Sequence, residues 1–161
     1  MQWVALIAVA IAALDQFSKW LVVRFINPEE PPRVVIAGFF SLVNWQNTGA
    51  AWGILKDYNL VLTVISVVTV ATLYLFRHSF QLQRPGPRLA LGLIAGGIIG
   101  NLIDRIRVHH VIDFLSFYIG PYHWPAFNIA DSSICIGVGL YVILTWRADA
   151  TAEKRHAAIS S

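Results

Sequence analysis

Long apolar runs dominate this chain and are separated by short polar segments. A helix of about 20 apolar residues can cross the hydrocarbon core of a bilayer. The runs predict four such helices, over about 3–26, 59–77, 88–105 and 127–147. Prolines in residues 27–33 end the first helix, because proline lacks a backbone donor and fixes φ. The pattern therefore predicts an all-α polytopic membrane protein, an up-and-down bundle in a single domain spanning residues 1–161.

The segments between these helices carry patterns of their own. Residues 33–55 are rich in β-branched and aromatic side chains, which favour strands. Simple alternation places Val43 and Trp45 on the same face of such a strand. The aromatic residues of 106–126 favour the membrane interface. We therefore predict a small β-sheet cradle over about 33–55 and an interfacial lid, a loop or short helix, over about 106–126.

The composition supports a membrane location, since 57% of the residues are apolar and 13% are charged. A soluble domain has about 25% charged residues, and a chain this apolar is not disordered. The net charge of +3 is spread along the chain, which favours contact with anionic lipid headgroups over nucleic acid. The basic residues divide evenly between the two sides of the bundle. Discounting Lys19, Arg24 and Arg105, which lie within or at the ends of apolar runs, favours cytoplasmic termini.

Four aspartates lie inside or beside the apolar runs, namely Asp15, Asp104, Asp113 and Asp131. A charged side chain in hydrocarbon costs about 3 kcal/mol or more, so such residues are commonly functional. In an up-and-down bundle the ends that carry them face the same side. We expect all four to gather at one surface, near the ends of their spans.

The pattern Asn-x-x-Asp occurs twice, as Asn101 to Asp104 and as Asn128 to Asp131. Residues three apart are neighbours on a helix, so each amide is expected to donate to its own carboxylate. Two carboxylates in one low-dielectric site do not both ionise, which provides an acid and a base for driving water into an amide carbonyl. Spacing alone leaves open which two of the four aspartates form this pair.

Other functions fit the residues less well. A metal at His109, His110, Asp113 and His123 lacks the spacing of a known ligand motif. A proton-coupled carrier would place its acids at mid-span. A purely structural, lipid-binding membrane protein leaves the repeated Asn-x-x-Asp unexplained.

Five segments, taken in order, resemble the motifs of the lipoprotein signal peptidase family, also called signal peptidase II. They are Asp15-Gln-Phe-Ser-Lys19, Asn47-Thr-Gly-Ala-Ala51, Gly100-Asn-Leu-Ile-Asp-Arg105, Val111-Ile-Asp-Phe114 and Phe127-Asn-Ile-Ala-Asp131. The resemblance extends from residue 3 to about residue 146. Trp52 stands where the family commonly has another aromatic residue, often Phe, which is a mild departure.

The resemblance implies an aspartyl endopeptidase of the bacterial inner membrane, with four helices, a surface sheet, cytoplasmic termini and an active site near the extracytoplasmic face. It implies that Asp113 and Asp131 are the catalytic dyad. Supporting roles fall on Asp15, Lys19, Asn47, Gly49, Asn101, Asp104, Arg105 and Asn128. Among these, Lys19 and Arg105 are expected either to meet substrate carbonyls or a headgroup, or to neutralise Asp15 and Asp104.

The implied substrate is a diacylglyceryl prolipoprotein, cut just before its lipid-modified cysteine. The expected partners are this substrate and the membrane lipids, and nucleic acid is not among them. The chain is expected to act as a monomer, with neither a metal nor a cofactor.

Overall fold

The computed structural model describes the backbone of residues 1–159 and the side chains of these residues except Ala51 and residues 149–159. This part of the chain forms four helices and four strands, with a pair of strands between α1 and α2 and a second pair between α3 and α4. They are α1 (Gln2–Phe25), β1 (Arg33–Ile36), β2 (Phe40–Asn47), α2 (Asn59–Leu75), α3 (Pro85–Arg107), β3 (Val111–Ile119), β4 (Tyr122–His123) and α4 (Ile129–Ile159). Short 3-10 turns lie at Ala51–Gly53 and Arg77–Phe80.

Three helices of the described chain are long and apolar enough to cross a membrane, namely α1, α3 and the Ile129–Ala148 part of α4. Helix α2 is also apolar but has 17 residues, a length of about 25 Å. These helices make the chain a membrane protein, as predicted. The crossing of α2, and with it the count of four spans, stays a prediction.

Helix α3 lies between α1 and α4, and glycines allow the close approach. A Cβ at Gly96 would lie 2.7 Å from the carbonyl oxygen of Ala8 on α1, and one at Gly97 would clash with the carbonyl oxygen of Ala130 on α4. Small residues at such positions bring helix backbones together in membranes. The polar residues near the end of α3 are thereby held against both neighbours.

Two of the predicted helix boundaries are wrong. Helix α3 begins at Pro85 rather than at residue 88, because proline is well tolerated in the first turn of a helix, where its missing N–H has no partner to lose. Helix α4 begins at Ile129 and continues to Ile159, past the predicted end at residue 147.

The segment over 106–126 is not a lid loop, and this prediction is corrected. It forms β3 and β4, and all four strands make one antiparallel sheet in the order β1-β2-β3-β4. The cause is a partner distant in sequence, since β3 pairs with β2 from Phe40 opposite Phe117 to Asn47 opposite Val111. The β-sheet cradle therefore combines strands from the connection between α1 and α2 with strands from the connection between α3 and α4.

Strand β2 contains an irregularity that simple alternation misses. Its register against β3 shifts between Leu42 and Trp45, as at a β-bulge. Val43 is consequently 2% exposed while Trp45 is 46% exposed, so the prediction that they share a face is wrong. Asn44 is buried beside Val43 and donates to the carbonyl of Ile26 at 2.8 Å, which ties the sheet to the end of α1.

Candidate active site

Strand β3 brings two of the four aspartates together. Asp113 is the third residue of β3, and two residues later Leu115 exchanges backbone hydrogen bonds with Phe127 in both directions, at 2.9 and 3.1 Å. Asn128 follows directly, and α4 begins at the next residue. Asp131, in the first turn of α4, therefore lies close to the strand that carries Asp113.

Asn128 contacts both of these carboxylates. Its side-chain Nδ2 donates to Oδ1 of Asp113 at 2.8 Å, and its backbone N–H donates to Oδ2 of Asp131 at 3.2 Å. Its Oδ1 accepts the backbone N–H of Asp131 at 3.0 Å, so the two residues form a reciprocal cap at the start of α4. The same buried side chain thus starts a helix and orients Asp113.

The second oxygen of Asp113 is bonded from the sheet. Asn47, at the end of β2, donates Nδ2 to Oδ2 of Asp113 at 2.9 Å. Its own Oδ1 accepts the N–H of Gly49 at 2.9 Å, and this local turn fixes the direction of the amide. A Cβ at residue 49 would lie 3.0 Å from the carbonyl oxygen of Ile54, so glycine suits the turn. The turn at Gly49 therefore orients the Asn47 amide, which in turn holds the carboxyl of Asp113.

Asp113 lies in an environment that favours its protonated form. The residue is 3% exposed. Burial, followed by the nearby charge of Asp131, raises the pKa of the Asp113 carboxyl to about 7, against the opposing hydrogen bonds from Asn47 and Asn128. A carboxyl with a pKa near neutrality is suited to general acid–base chemistry at physiological pH.

The side-chain amides of the two Asn-x-x-Asp patterns bond carboxylates other than those predicted. Nδ2 of Asn101 donates to Oδ1 of Asp131 at 2.7 Å, whereas Nδ2 of Asn128 donates to Asp113. The close packing of α3 on α4 lets Asn101 reach the neighbouring helix, while Asp104 bonds residues of α1. The prediction that each amide donates to the carboxylate three residues later is therefore wrong.

A buried cation lies behind the pair. Lys19 is 1% exposed, and its Nζ lies 2.8 Å from Oδ2 of Asp15 and 2.8 Å from Oδ2 of Asp104. It also donates to Oδ1 of Asn101 at 2.9 Å, so all three donors of the ammonium are engaged. Of the two roles expected of it, Lys19 therefore has that of neutralising Asp15 and Asp104. It also helps to orient the side-chain amide of Asn101, which bonds Asp131.

Asp15 departs from the expectation that all four aspartates lie near the ends of their spans. It is close to the middle of α1, and it is 0% exposed. Its Oδ1 accepts the N–H of Ala130 at 2.9 Å, one of the N–H groups that the first turn of a helix leaves without an internal partner. Asp15 therefore joins α1 to the start of α4, with Lys19 balancing its charge.

Gln16 belongs to this cluster although spacing did not indicate it. Its Nε2 donates to Oδ1 of Asp104 at 2.8 Å and to the carbonyl of Gly100 at 3.1 Å. Its Oε1 accepts Nη1 of Arg107 at 3.3 Å. A signal existed in the sequence, because an amide directly after Asp15 interrupts an apolar run.

A cavity of about 490 Å³ opens beside Asp131 and beside Asn47, the residue that bonds Asp113. Its wall includes Asp131 and Arg105, and also Trp52 and Trp124, whose rings meet edge to face with 5.3 Å between centroids. Arg105 donates Nη2 to the carbonyl of Gly49 at 3.2 Å. A carboxylate and a guanidinium thus border a largely apolar cavity, which is a common arrangement in substrate sites.

The histidines considered as metal ligands are not gathered into a site. No group of three or more His, Cys, Asp or Glu residues in the described part of the chain is placed to hold a metal ion. The ring of His123 instead stacks on Tyr118, with 5.3 Å between centroids. The polar residues that do gather are the aspartates and asparagines described above.

Two carboxylates that share Asn128 as a hydrogen-bond partner, one of them bordering a cavity, lie in a bundle of apolar helices, an arrangement suited to a membrane-embedded enzyme. Residues 7–147 match the family described as Signal peptidase (SPase) II. The chain therefore belongs to the signal peptidase II family and is a membrane-embedded peptidase, which confirms the resemblance found in its motifs.

Individual relatives agree with this assignment. The lipoprotein signal peptidase of Syntrophotalea carbinolica is 44% identical over 145 residues, covering 88% of this chain and 89% of the relative. That of Bacillus pumilus is 44% identical over 142 residues, covering 86% and 88%. A solved structure described as a bacterial membrane enzyme, determined by the in meso method at 2.3 Å resolution, is 31% identical. It aligns with a TM-score of 0.85 over 94% of this chain and 92% of its own.

Proposed function

We propose that this peptidase removes the signal peptide from diacylglyceryl-modified prolipoproteins, cutting just before the lipidated cysteine with a water molecule that Asp113 and Asp131 activate. The observation that carries the proposal is the pair of carboxylates linked through Asn128, of which Asp131 borders the 490 Å³ cavity. The printed names of the relatives, lipoprotein signal peptidases, supply the substrate class.

The pair can perform both proton transfers of peptide hydrolysis. Two carboxylates in one low-dielectric site share a single proton, because both do not ionise together. The ionised member removes a proton from water, and the oxygen attacks the scissile carbonyl carbon while the protonated member donates to the carbonyl oxygen. The carboxyl that took the proton from water then donates it to the leaving nitrogen as the C–N bond of the gem-diol intermediate breaks. The other carboxylate takes a proton from a hydroxyl of the intermediate, which gives the carboxylic acid product and restores the single shared proton. The pKa of Asp113, raised to about 7, supports such an exchange.

Arg105 is the cavity residue best suited to bond the substrate backbone. It uses Nη2 to donate to Gly49, and a guanidinium has five N–H donors in all. The remaining donors can bond a substrate carbonyl next to the scissile bond. Lys19, by contrast, is fully engaged within the protein and acts at a distance from the substrate.

Mutation of the dyad tests the proposal. In Asp113→Asn and Asp131→Asn the side chain keeps its shape but exchanges no proton, so we expect each change to lower the cleavage rate by at least about 100-fold. Asp57→Asn is the matched control, since Asp57 is exposed and bonds Thr48. Mass spectrometry of a lipidated precursor incubated with purified protein gives the rate and the cleavage position. Activity of either dyad variant within about tenfold of wild type would remove that residue from the dyad.

A proton-coupled carrier gains no support from Asp15, although this acid is at mid-span. Its oxygens bond Lys19 and the N–H of Ala130, and it is fully buried, so it has no exchange route to water. We further propose that α2 is the fourth span, that the termini are cytoplasmic and that the chain acts as a monomer in the bacterial inner membrane. Membrane-impermeant labelling would test this orientation in a Cys135→Ser background, which removes the exposed native cysteine. Of single cysteines introduced at Ser79 and Tyr122, only the one at Tyr122 should react from the extracytoplasmic side.

A further inference from the structure

A second cavity lies at the end of the bundle remote from the aspartates. It has a volume of about 270 Å³ and is lined by Met1, Arg77, His78, Leu82, Gln83 and Arg88. Arg88 precedes Arg105 by 17 residues on α3, which corresponds to about 25 Å along the helix. The cavity is therefore separate from the site described above.

The cavity is basic, and the two segments of the chain that line it carry no acidic residue. Two of its lining residues are arginines and a third is a histidine. Neither residues 1–14 nor residues 58–103, which include the start of α1, the end of α2 and the start of α3, contain an aspartate or glutamate. In a membrane protein such a concentration of positive charge favours an anionic ligand.

Both guanidinium groups are held in place by the protein. Arg88 donates through Nε to the carbonyl of Leu82 and through Nη2 to that of Gln83 at 2.7 Å. Arg77 donates Nη1 to the carbonyl of Tyr74 at 2.9 Å, and its guanidinium lies 4.6 Å from the centroid of the Tyr74 ring. Because these contacts use only some of the five donors on each arginine, the groups are ordered and still able to bind an anion.

Aromatic residues mark the level of this cavity in the bilayer. Trp3 near the start of α1, Tyr74 near the end of α2 and Trp146 on α4 are 64%, 58% and 74% exposed. In an up-and-down bundle these three positions share one end with Arg88, and exposed Trp and Tyr residues favour the headgroup level. Leu75 and Phe76, also exposed, provide an apolar surface beside the cavity.

We propose that this cavity binds the phosphate headgroup of an anionic phospholipid, with the acyl chains lying along the neighbouring apolar surface. Sites that enclose a whole drug-sized ligand have volumes of about 300–1,000 Å³. The smaller cavity here suits a headgroup whose chains remain in the bilayer. Arg77 is the principal ligand, because Arg88 already donates to the carbonyls of both Leu82 and Gln83, whereas Arg77, in the described chain, donates to the carbonyl of Tyr74 alone.

Native mass spectrometry of the full chain in detergent tests the proposal, with phosphatidylglycerol and phosphatidylcholine of identical acyl chains as probes. Wild type should bind phosphatidylglycerol more tightly. Arg77→Gln should weaken that binding about tenfold, the loss of one hydrogen bond to a charged group. Arg84→Gln is the matched control, because it removes the same charge from the same loop at an exposed position outside this cavity. It should change binding by less than about twofold.

Three outcomes would overturn the proposal. Equal binding of the two lipids by wild type would do so without any variant. An equal loss in Arg77→Gln and Arg84→Gln would show that overall charge, and not the cavity, attracts the lipid. Displacement of phosphatidylglycerol by an equal concentration of inorganic phosphate would show a site for free anions, in which the acyl chains have no part.

Discussion

Replacing Lys19 with methionine tests the buried ion cluster behind the proposed dyad. Methionine is close to lysine in length but carries no charge. The change leaves the carboxylates of Asp15 and Asp104 buried without their common cation, which lies 2.8 Å from each. It also removes the shorter of the two hydrogen bonds to Oδ1 of Asn101, at 2.9 Å, and leaves the bond from Nδ2 of Asn128 at 3.3 Å.

Removing one partner of a buried ion pair costs about 3–5 kcal/mol, because an uncompensated charge stays in a low-dielectric site. For a chain of this size about 1 kcal/mol corresponds to a change of about 2–4 °C in Tm. Lys19→Met should therefore lower Tm by about 6–20 °C. Adding Asp104→Asn removes one of the two unpaired carboxylates and should restore part of the loss.

The matched control is Arg33→Met. Arg33 and Glu30 form an ion pair at 2.9 Å whose side chains are 49% and 44% exposed. Exposed pairs contribute about 0–1 kcal/mol, so this variant should melt within about 4 °C of wild type. Thermal unfolding of the purified proteins in one detergent gives the comparison.

Activity provides a second readout that stability alone does not move. At temperatures where both proteins are folded, Lys19→Met should lower kcat more than it changes KM. The Asn101 amide is then held only by the longer bond from Asn128, so it orients Asp131 less firmly. A Tm equal to that of Arg33→Met would refute the energetic reasoning. An unchanged kcat would refute the coupling from Lys19 through Asn101 to Asp131.

Four further predictions concern protons, metals, lipid and packing. The pKa of Asp113 is raised from 3.8 to about 7, so between these two pH values the folded state binds more protons at this carboxyl than the unfolded state does. Tm should therefore fall as pH rises from about 5 to about 7.5, and less so in Asp113→Asn. Cleavage should persist in EDTA, since two carboxylates need no metal; loss of activity that zinc restores would contradict the mechanism. A precursor with an unlipidated cysteine should be cut with a lower kcat/KM at equal membrane density, because two acyl chains hold the scissile bond at the depth of the dyad. Gly96→Ala should lower Tm through the 2.7 Å contact with Ala8, whereas Gly139→Ala, with open space around its Cβ, should not; equal effects would contradict the packing argument.

Much of the architecture follows from patterns that are local in sequence. Apolar runs placed seven of the eight helix ends within three residues, and only the end of α4, at Ile159, lies far beyond its predicted position. The parity of an up-and-down bundle placed Asp15, Asp104, Asp113 and Asp131 at one network, as the contacts of Lys19 and Asn128 show. These predictions succeeded because they depend only on the hydrophobicity of each segment and on how often the chain reverses direction between one segment and the next.

The hydrogen bonds of the site join residues that are distant in sequence, so they could not be predicted in this way. Asn47 bonds Asp113 across 66 residues, and Gln16 bonds Asp104 across 88. Spacing along one helix indicates only the neighbours on that helix, whereas the amide of Asn101 turns to a different one. Strand β3 was missed for the same reason, because its partner strand lies about 70 residues earlier.

Asn128 shows why the fold and the proposed chemistry are difficult to separate in this chain. Its Oδ1 caps α4, its N–H bonds Asp131, and its Nδ2 bonds Asp113. The distance between the two carboxylates is consequently set by the same bonds that fix where α4 starts. Asparagine at position 113 or 131 keeps one acceptor oxygen for Asn128, and the backbone N–H of residue 131 still bonds Oδ1 of Asn128. The start of α4 is therefore retained, although the second hydrogen bond, from Asn47 or Asn101, is lost. Changes at Asn128 alter the helix and the dyad together, so only the carboxylates themselves allow the chemistry to be removed while the architecture remains.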